Sequence, residues 1–218
     1  MSFLSSVASV RNIAGIAAVA ALGALLAQAP AAASPGAEAF VQNNVQRGLQ
    51  ILDSPGLSKE QKRAQFRSFL ISLTDLKRIA LYTLGPARRT ASQADQEAFV
   101  DAFREYAFAV YGAEFEKYSG QSLKVTGSIE RSPTDELVTT VLVDPHAPRG
   151  QEPIEVNFRV YNTNGKYIAV DIVVAGLDLA ITEQDDFSSF LAQHNNNLKL
   201  LTANLKQRTQ HVHETGQI

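Results

Sequence analysis

The chain has 218 residues, with no cysteine, no tryptophan and a single methionine. Without cysteine there can be no disulfide framework, no thiol nucleophile, no thiolate metal site and no lipid-modified cysteine anchor. Charge is also sparse. Charged residues make up 19% of the chain and the formal net charge is −2, so no basic excess is present to hold a phosphate backbone, and nucleic-acid binding is not expected. Histidine is limited to His146, His194, His211 and His213. None lies in an HExxH pattern or at ligand spacing from a carboxylate pair, so neither a metal nor a cofactor is expected. No serine sits in GxSxG, and no P-loop or GxGxxG stretch occurs. Hydrolytic and nucleotide-driven chemistry therefore lack visible machinery, and the expectation is a protein that is not an enzyme.

Long apolar runs are missing too, with one exception. "IAGIAAVAALGALLA" follows the lone cation of "MSFLSSVASVRN", Arg11, and precedes the small-residue patch "APAAAS". At roughly 15 residues the run is short of the ~20 that a membrane span needs. With Ala31 and Ala33 in small-x-small order it reads as a signal peptide, residues 1–33, cleaved after Ala33. An exported chain free of cross-links fits the bacterial periplasm. Hydrophobic residues make up 45% of the whole, enough for one globular domain, placed at residues 34–210 with a polar tail at 211–218.

Helical periodicity fills the first half. Val41, Val45, Leu49 and Leu52 repeat at helical spacing up to "DSPG", and Ser58 with Gln61 makes a capping box ahead of Phe66, Phe69, Leu70 and Leu73. Thr74 and Asp75 open "LKRIALYTLG", closed by Gly85 and Pro86. Ser92 and Asp95 cap a long segment that is apolar on two sides: Phe99, Phe103, Tyr106 and Val110 form one line, and Phe108, Tyr111, Phe115 and Tyr118 a second roughly 130° round. Gly112 is a place where this segment can divide into two helices.

The period then changes to two. "SLKVTGSIE", "ELVTTVLVD", "EPIEVNFRVY" and "KYIAVDIVV" read as four antiparallel strands, the last two joined by the tight turn "NTNG". Alternation turns Ile154, Val156, Phe158 and Val160 one way, and Ile168, Val170, Ile172 and Val174 one way on the next strand. Thr182 and Asp185 are expected to cap a helix carrying Phe187, Phe190 and Leu191, and Leu198, Leu201 and Leu205 belong to a final helix. Helices, sheet and helices without βαβ alternation predict an α+β fold, a curved antiparallel sheet of about four strands covered by several helices, with room for an apolar pocket between the layers.

Two features carry a chemical alternative. Asp171 is a charge within an apolar strand and has the character of a general base in a cone-shaped, ketosteroid-isomerase-like cavity. Strand alternation alone places it on the wet face, within reach of a helix arginine such as Arg104. Lys77, Arg78, Arg88 and Arg89 form a basic group that suits a solvated face or an anionic partner.

The helix text "SQADQEAFVDAFREYAFAVYGAEFEKYSGQ", then paired strands, then "VDIVVAGLDLAITEQDDFSSFLAQ" and "LLTANLK", resembles the MlaC family of periplasmic lipid-shuttle proteins, also called toluene-tolerance auxiliary proteins. The resemblance spans nearly the whole mature chain through the order of its pieces. It implies a carrier holding the acyl chains of a glycerophospholipid between sheet and helices. Its implied partners are an inner-membrane MCE-domain ABC transporter complex and an outer-membrane lipoprotein complex, with no stable membrane insertion. A hopanoid-associated branch implies a polycyclic cargo instead. On this reading the pocket is lined by Leu76, Ile79, Ala80, Leu84, Phe103, Tyr106, Val110, Tyr111 and Phe115 from the helices, and by Val156, Phe158, Val160, Ile168, Val170, Ile172 and Val174 from the sheet. Which aromatic line faces the cargo is left open.

Overall fold

Six α-helices and five strands follow one another in the computed structural model, which describes residues 34–217. The expected signal segment and its cleavage site lie outside the described residues. Helix α1 (Pro35–Asp53) and α2 (Lys59–Leu73) form a hairpin, α3 (Leu76–Thr83) runs into a 3-10 turn (Gly85–Arg89), and α4 (Gln93–Glu116) is the long aromatic helix. The strands β1 (Ser122–Ser132), β2 (Asp135–Val143), β3 (Val156–Thr163), β4 (Lys166–Val174) and β5 (Leu177–Asp178) lead to α5 (Leu179–Gln193) and α6 (Leu198–Thr215).

Local chemistry sets most of these boundaries. Ser58 and Gln61 satisfy each other's backbone amides in the capping box that opens α2, while Asp75 accepts from the Arg78 amide at the start of α3. Asn197 accepts from the amides of Lys199 and Leu200 to start α6. Each cap supplies an acceptor to N–H groups that the first helical turn cannot pair. In the β3–β4 turn Asn164 and Gly165 both take positive φ, at 54° and 82°, the twist that a two-residue hairpin between right-handed strands requires.

The sheet is an antiparallel meander in the order β1-β2-β3-β4-β5. Its register contains the device that sets the side-chain faces: Arg159 pairs with Asp171 but Val160 pairs with Ala169, so Val170 is an extra residue in β4. A bulge of this kind reverses which side chains share a face. Consequently Ile172 and Val174 share a face with Phe158 and Val156, whereas Ile168, paired with Tyr161, falls on the face of Arg159 and Asp171. The uniform Ile168-to-Val174 row expected from alternation is thus broken at Val170.

Two separate apolar cores result. The larger is wholly helical: Phe99, Phe103, Tyr106 and Val110 of α4 pack with Leu84, with Phe187 and Leu191 of α5, and with Leu201, Leu205 and Val212 of α6. Phe187 meets Phe99 edge-on at 5.7 Å and Phe103 at 6.4 Å between ring centroids, the geometry aromatic quadrupoles favour. The smaller joins Ala37 and Val41 of α1 to Val138 and Val160 of the sheet, flanked by Phe40, Val125, Phe158 and Tyr167. Gly36 lets α1 reach the sheet, because a Cβ there would overlap the Tyr167 hydroxyl.

Other expectations are corrected. Gly112 does not divide α4, which runs unbroken from Gln93 to Glu116; one glycine costs a helix only about 1 kcal/mol, and the packing of the first aromatic line outweighs it. Helix α5 starts a turn earlier than its Thr182 cap implied, because Asp178 accepts from the Ile181 amide. Residues 211–215 are not a loose tail: α6 continues through His211 and His213 to Thr215 and buries Val212, whose side chain completes the helical core.

Candidate functional site

The two lines of α4 have different surroundings. All four members of the first line are buried in the helical core. The second line is not: Phe108, Tyr111 and Tyr118 each remain only half-buried, and the side chain of Phe115 lies outside the described set. Helix α2 runs beside this line. The Arg67 guanidinium lies 4.3 Å from the centre of the Phe108 ring and pairs with Glu105, while Arg63 pairs with Glu116. The end of α1 comes close as well, since the Tyr118 hydroxyl is raised above its ordinary pKa by desolvation and then by the Asp53 carboxylate.

On the sheet side a matching set of aliphatic residues is left over. Val156, Ile172 and Val174 share one face, Ile168 lies on the other and Val170 stands at the bulge; all five are half-buried and belong to neither core. Leu76 and Ile79 of α3 and Tyr111 of α4 are half-buried at the margin of the helical core, and Phe158 holds the same position at the margin of the sheet core. The sequence-predicted lining residues thus divide. Ala80, Leu84, Phe103, Tyr106, Val110 and Val160 are buried within the two cores, and the described remainder keep surface of their own.

Polar groups gather on the other face of the β3–β4 pair and at its junction with α5. Asp171 is buried at 8% exposure, not on the wet face, and Arg104 pairs with Asp101 instead. One carboxylate oxygen, Oδ1, accepts from the backbone amides of Ile172 at 2.8 Å and Ala180 at 3.1 Å, tying β4 to the first turn of α5. Desolvation and the neighbouring Asp178 carboxyl push Asp171 up to about 7 against the pull of those two amides. Arg159, its partner across the strands, is held by Asp135 through Nε and Nη2 and donates to the Tyr161 hydroxyl. Further along α5, Glu183 is pushed up to about 7 by burial, which the Arg208 charge partly offsets. The Tyr111 hydroxyl is pushed up to about 12 by desolvation, with Glu183 and then Asp171 adding to it. Both the Tyr106 hydroxyl and Oε2 of Glu183 are buried without a hydrogen-bond partner.

Helix α4 and the β3–β4 pair that bound this region both lie within residues 42–207, over which the chain matches the family model described as MlaC protein. The chain belongs to the MlaC family. Among solved structures, the MlaC-like fold recurs in a phospholipid-binding protein from Ralstonia solanacearum, solved in complex with a phospholipid. That protein is 20% identical and superposes with a TM-score of 0.69, the alignment covering 81% of this chain and 98% of that chain. At this identity the likeness is one of fold.

No helix among the described residues is long and apolar enough to cross a membrane, and no group of three or more metal-ligating side chains occurs among them. Sequence reasoning missed one feature of this MlaC-family chain entirely. A groove of about 550 Å³ opens between α1 and α2, lined in part by Arg47, Gln65 and Phe69, and none of the sequence-predicted site residues borders it. Its signal was present in the sequence as polar residues on the facing sides of two helices, a pattern easily taken for two solvated surfaces.

Proposed function

We propose that this protein is a periplasmic carrier of glycerophospholipids, sheltering the acyl chains between the second aromatic line of α4 and the aliphatic end of β3–β4. The observation that carries this reading is the separation of the two cores. Tyr111 retains accessible surface while its hydroxyl is strongly desolvated, a combination expected of a side chain facing an enclosed space rather than bulk water. Family membership and the phospholipid held by the Ralstonia protein of the same fold support the choice of ligand.

The energetics then favour transfer by contact. Each buried CH₂ contributes ~0.8 kcal/mol, so two acyl chains outweigh any single head-group contact, and release into water is slow. A carrier of this kind needs a partner offering a continuous apolar path. The inner-membrane MCE-domain ABC transporter complex and the outer-membrane lipoprotein complex fill that role in the reading proposed here. Asp171 does not need a catalytic task to account for its burial, because its carboxylate holds the β4–α5 corner through two backbone amides.

Organic extraction of freshly purified protein followed by mass spectrometry tests the reading. Stoichiometric glycerophospholipid is expected. A polycyclic lipid in its place would keep the carrier and change the cargo. Protein that is lipid-free as purified and takes up none from vesicles would end the proposal.

A further inference from the structure

The groove between α1 and α2 has a composition unlike an ordinary helix–helix seam. Facing helices normally close their contact with apolar side chains, yet here the facing positions include Arg47, Gln50 and Ser54 on one side and Gln65, Ser68 and Ser72 on the other. No carboxylate lines it, although the chain as a whole carries more acidic than basic residues. Its floor is apolar, formed by half-buried Ile51 and buried Phe69.

Arg47 is held in place without being neutralised. Its guanidinium lies 5.5 Å from the centre of the Phe69 ring, and Nη1 donates to Oδ1 of Asn44 at 3.1 Å. No carboxylate pairs with it among the described residues. A guanidinium has five N–H donors in a planar fork that matches the oxygens of a phosphate, and most of those donors are unused. The amides of Gln50 and Gln65 add further donors. The three serine hydroxyls donate to their own helices, Ser54 to the Gln50 carbonyl, Ser68 to that of Ala64 and Ser72 to that of Phe69, which leaves them polar but not negatively charged.

We propose that this groove seats the phosphodiester of the bound lipid, with Arg47, Gln50 and Gln65 donating to its free oxygens. The assignment rests on the carrier reading above. It fits the layout, since the two helices that form the groove also flank the second aromatic line through Arg67, Arg63 and Asp53. Acyl chains can then run inward beneath α2 while the phosphate stays near water. A site of this kind recognises the group that all glycerophospholipids share and is indifferent to the alcohol beyond it.

The absence of cysteine makes a direct location test available. A nitroxide is attached at Asn43→Cys, an exposed position one turn before Arg47 and outside the groove lining, in one sample and at Arg89→Cys, on the 3-10 turn, in another, and ³¹P NMR is recorded on the lipid-loaded protein. The lipid phosphorus resonance is expected to broaden strongly with the label at position 43 and little with the label at 89. In parallel, unlabelled Arg47→Gln is expected to release lipid to acceptor vesicles roughly 10-fold faster, the value of one charge-assisted hydrogen bond. Equal broadening from both labels, no broadening from position 43, or an unchanged release rate overturns the groove assignment and leaves the carrier standing. Inorganic phosphate titrated onto lipid-stripped, 43-labelled protein separates the sources: broadening of free phosphate as strong as that of the lipid would make the groove a general anion site and refute the head-group assignment. Wild-type protein that neither carries nor takes up phospholipid removes the carrier reading and this inference together.

Discussion

Replacing Asp171 by Asn is expected to stabilise the protein at pH 8 while leaving it nearly unchanged at pH 4.5. The carboxyl stands at about 7 in the folded state against an ordinary 3.8, raised first by desolvation and next by Asp178. The folded state therefore holds this proton more tightly than the unfolded chain. Stability from this group is fully present below about 3.8 and is lost as the pH rises toward about 7; above that it stays lost. At full strength the difference amounts to about 4 kcal/mol. The proton is shared with Asp178, and two backbone amides favour the charged form, so about half, roughly 2 kcal/mol, is the value to expect. Asn keeps an acceptor for the amides of Ile172 and Ala180 and offers an N–H toward Asp178, without a charge to desolvate. For a domain of this size 2 kcal/mol corresponds to about 4–8 °C in Tm. Thermal unfolding followed by circular dichroism at pH 4.5, 6 and 8 is the assay. The wild type should lose stability from this group across the series, and the variant should follow a flatter curve lying above it at pH 8. A variant less stable than the wild type at pH 8 would show that the ionised carboxylate, paired with Arg159, is what the fold requires, and the reasoning would fail.

Glu183→Gln should flatten the same pH dependence in the same direction, because Glu183 is also raised to about 7 by burial; an unchanged slope in the Asp171→Asn background would contradict this. Val156→Asp or Ile172→Asp should cut the co-purified lipid severalfold with the circular dichroism spectrum retained, whereas in solid core an unpaired buried charge would prevent folding. Phe187→Ala should cost about 3–5 kcal/mol in urea unfolding, since the ring is fully buried against Phe99 and Phe103. Asp135→Ala should cost about 3 kcal/mol by stranding the partly buried Arg159 guanidinium, and adding Arg159→Leu should restore part of that loss.

The helices were readable because their ends carry local chemistry. Ser58 with Gln61 and Asp75 each announce a helix start within four residues of sequence, and the structure uses both. The β3–β4 hairpin was readable for the same reason, through Asn164 and Gly165. The faces of β4 were not. Strict alternation assumes a ladder without insertions, and the extra residue at Val170 arises from pairing with β3, a partner that the β4 sequence alone does not reveal. Asp171 is a separate miss: alternation places it opposite Ile172, as the register does, but the first turn of α5 arrives from nine residues downstream, covers that face and supplies the Ala180 amide that holds it inside.

The two aromatic lines of α4 show why the pocket wall proposed above is harder to read than a core. Phe103 and Phe108 are the same residue type on the same helix, and periodicity gives both an apolar environment. They differ in what stands opposite. Phe103 meets the ring of Phe187, a contact made within the protein, whereas Phe108 meets the guanidinium of Arg67 and stays half-buried. A core residue is completed by other residues of its own chain, so its partners are written in the sequence even when their pairing is not. On the proposed reading a wall residue is completed by the cargo, which the sequence does not contain. The sign that survives in the structure is incompleteness, an apolar helix line and an apolar strand end that no buried core of the protein absorbs.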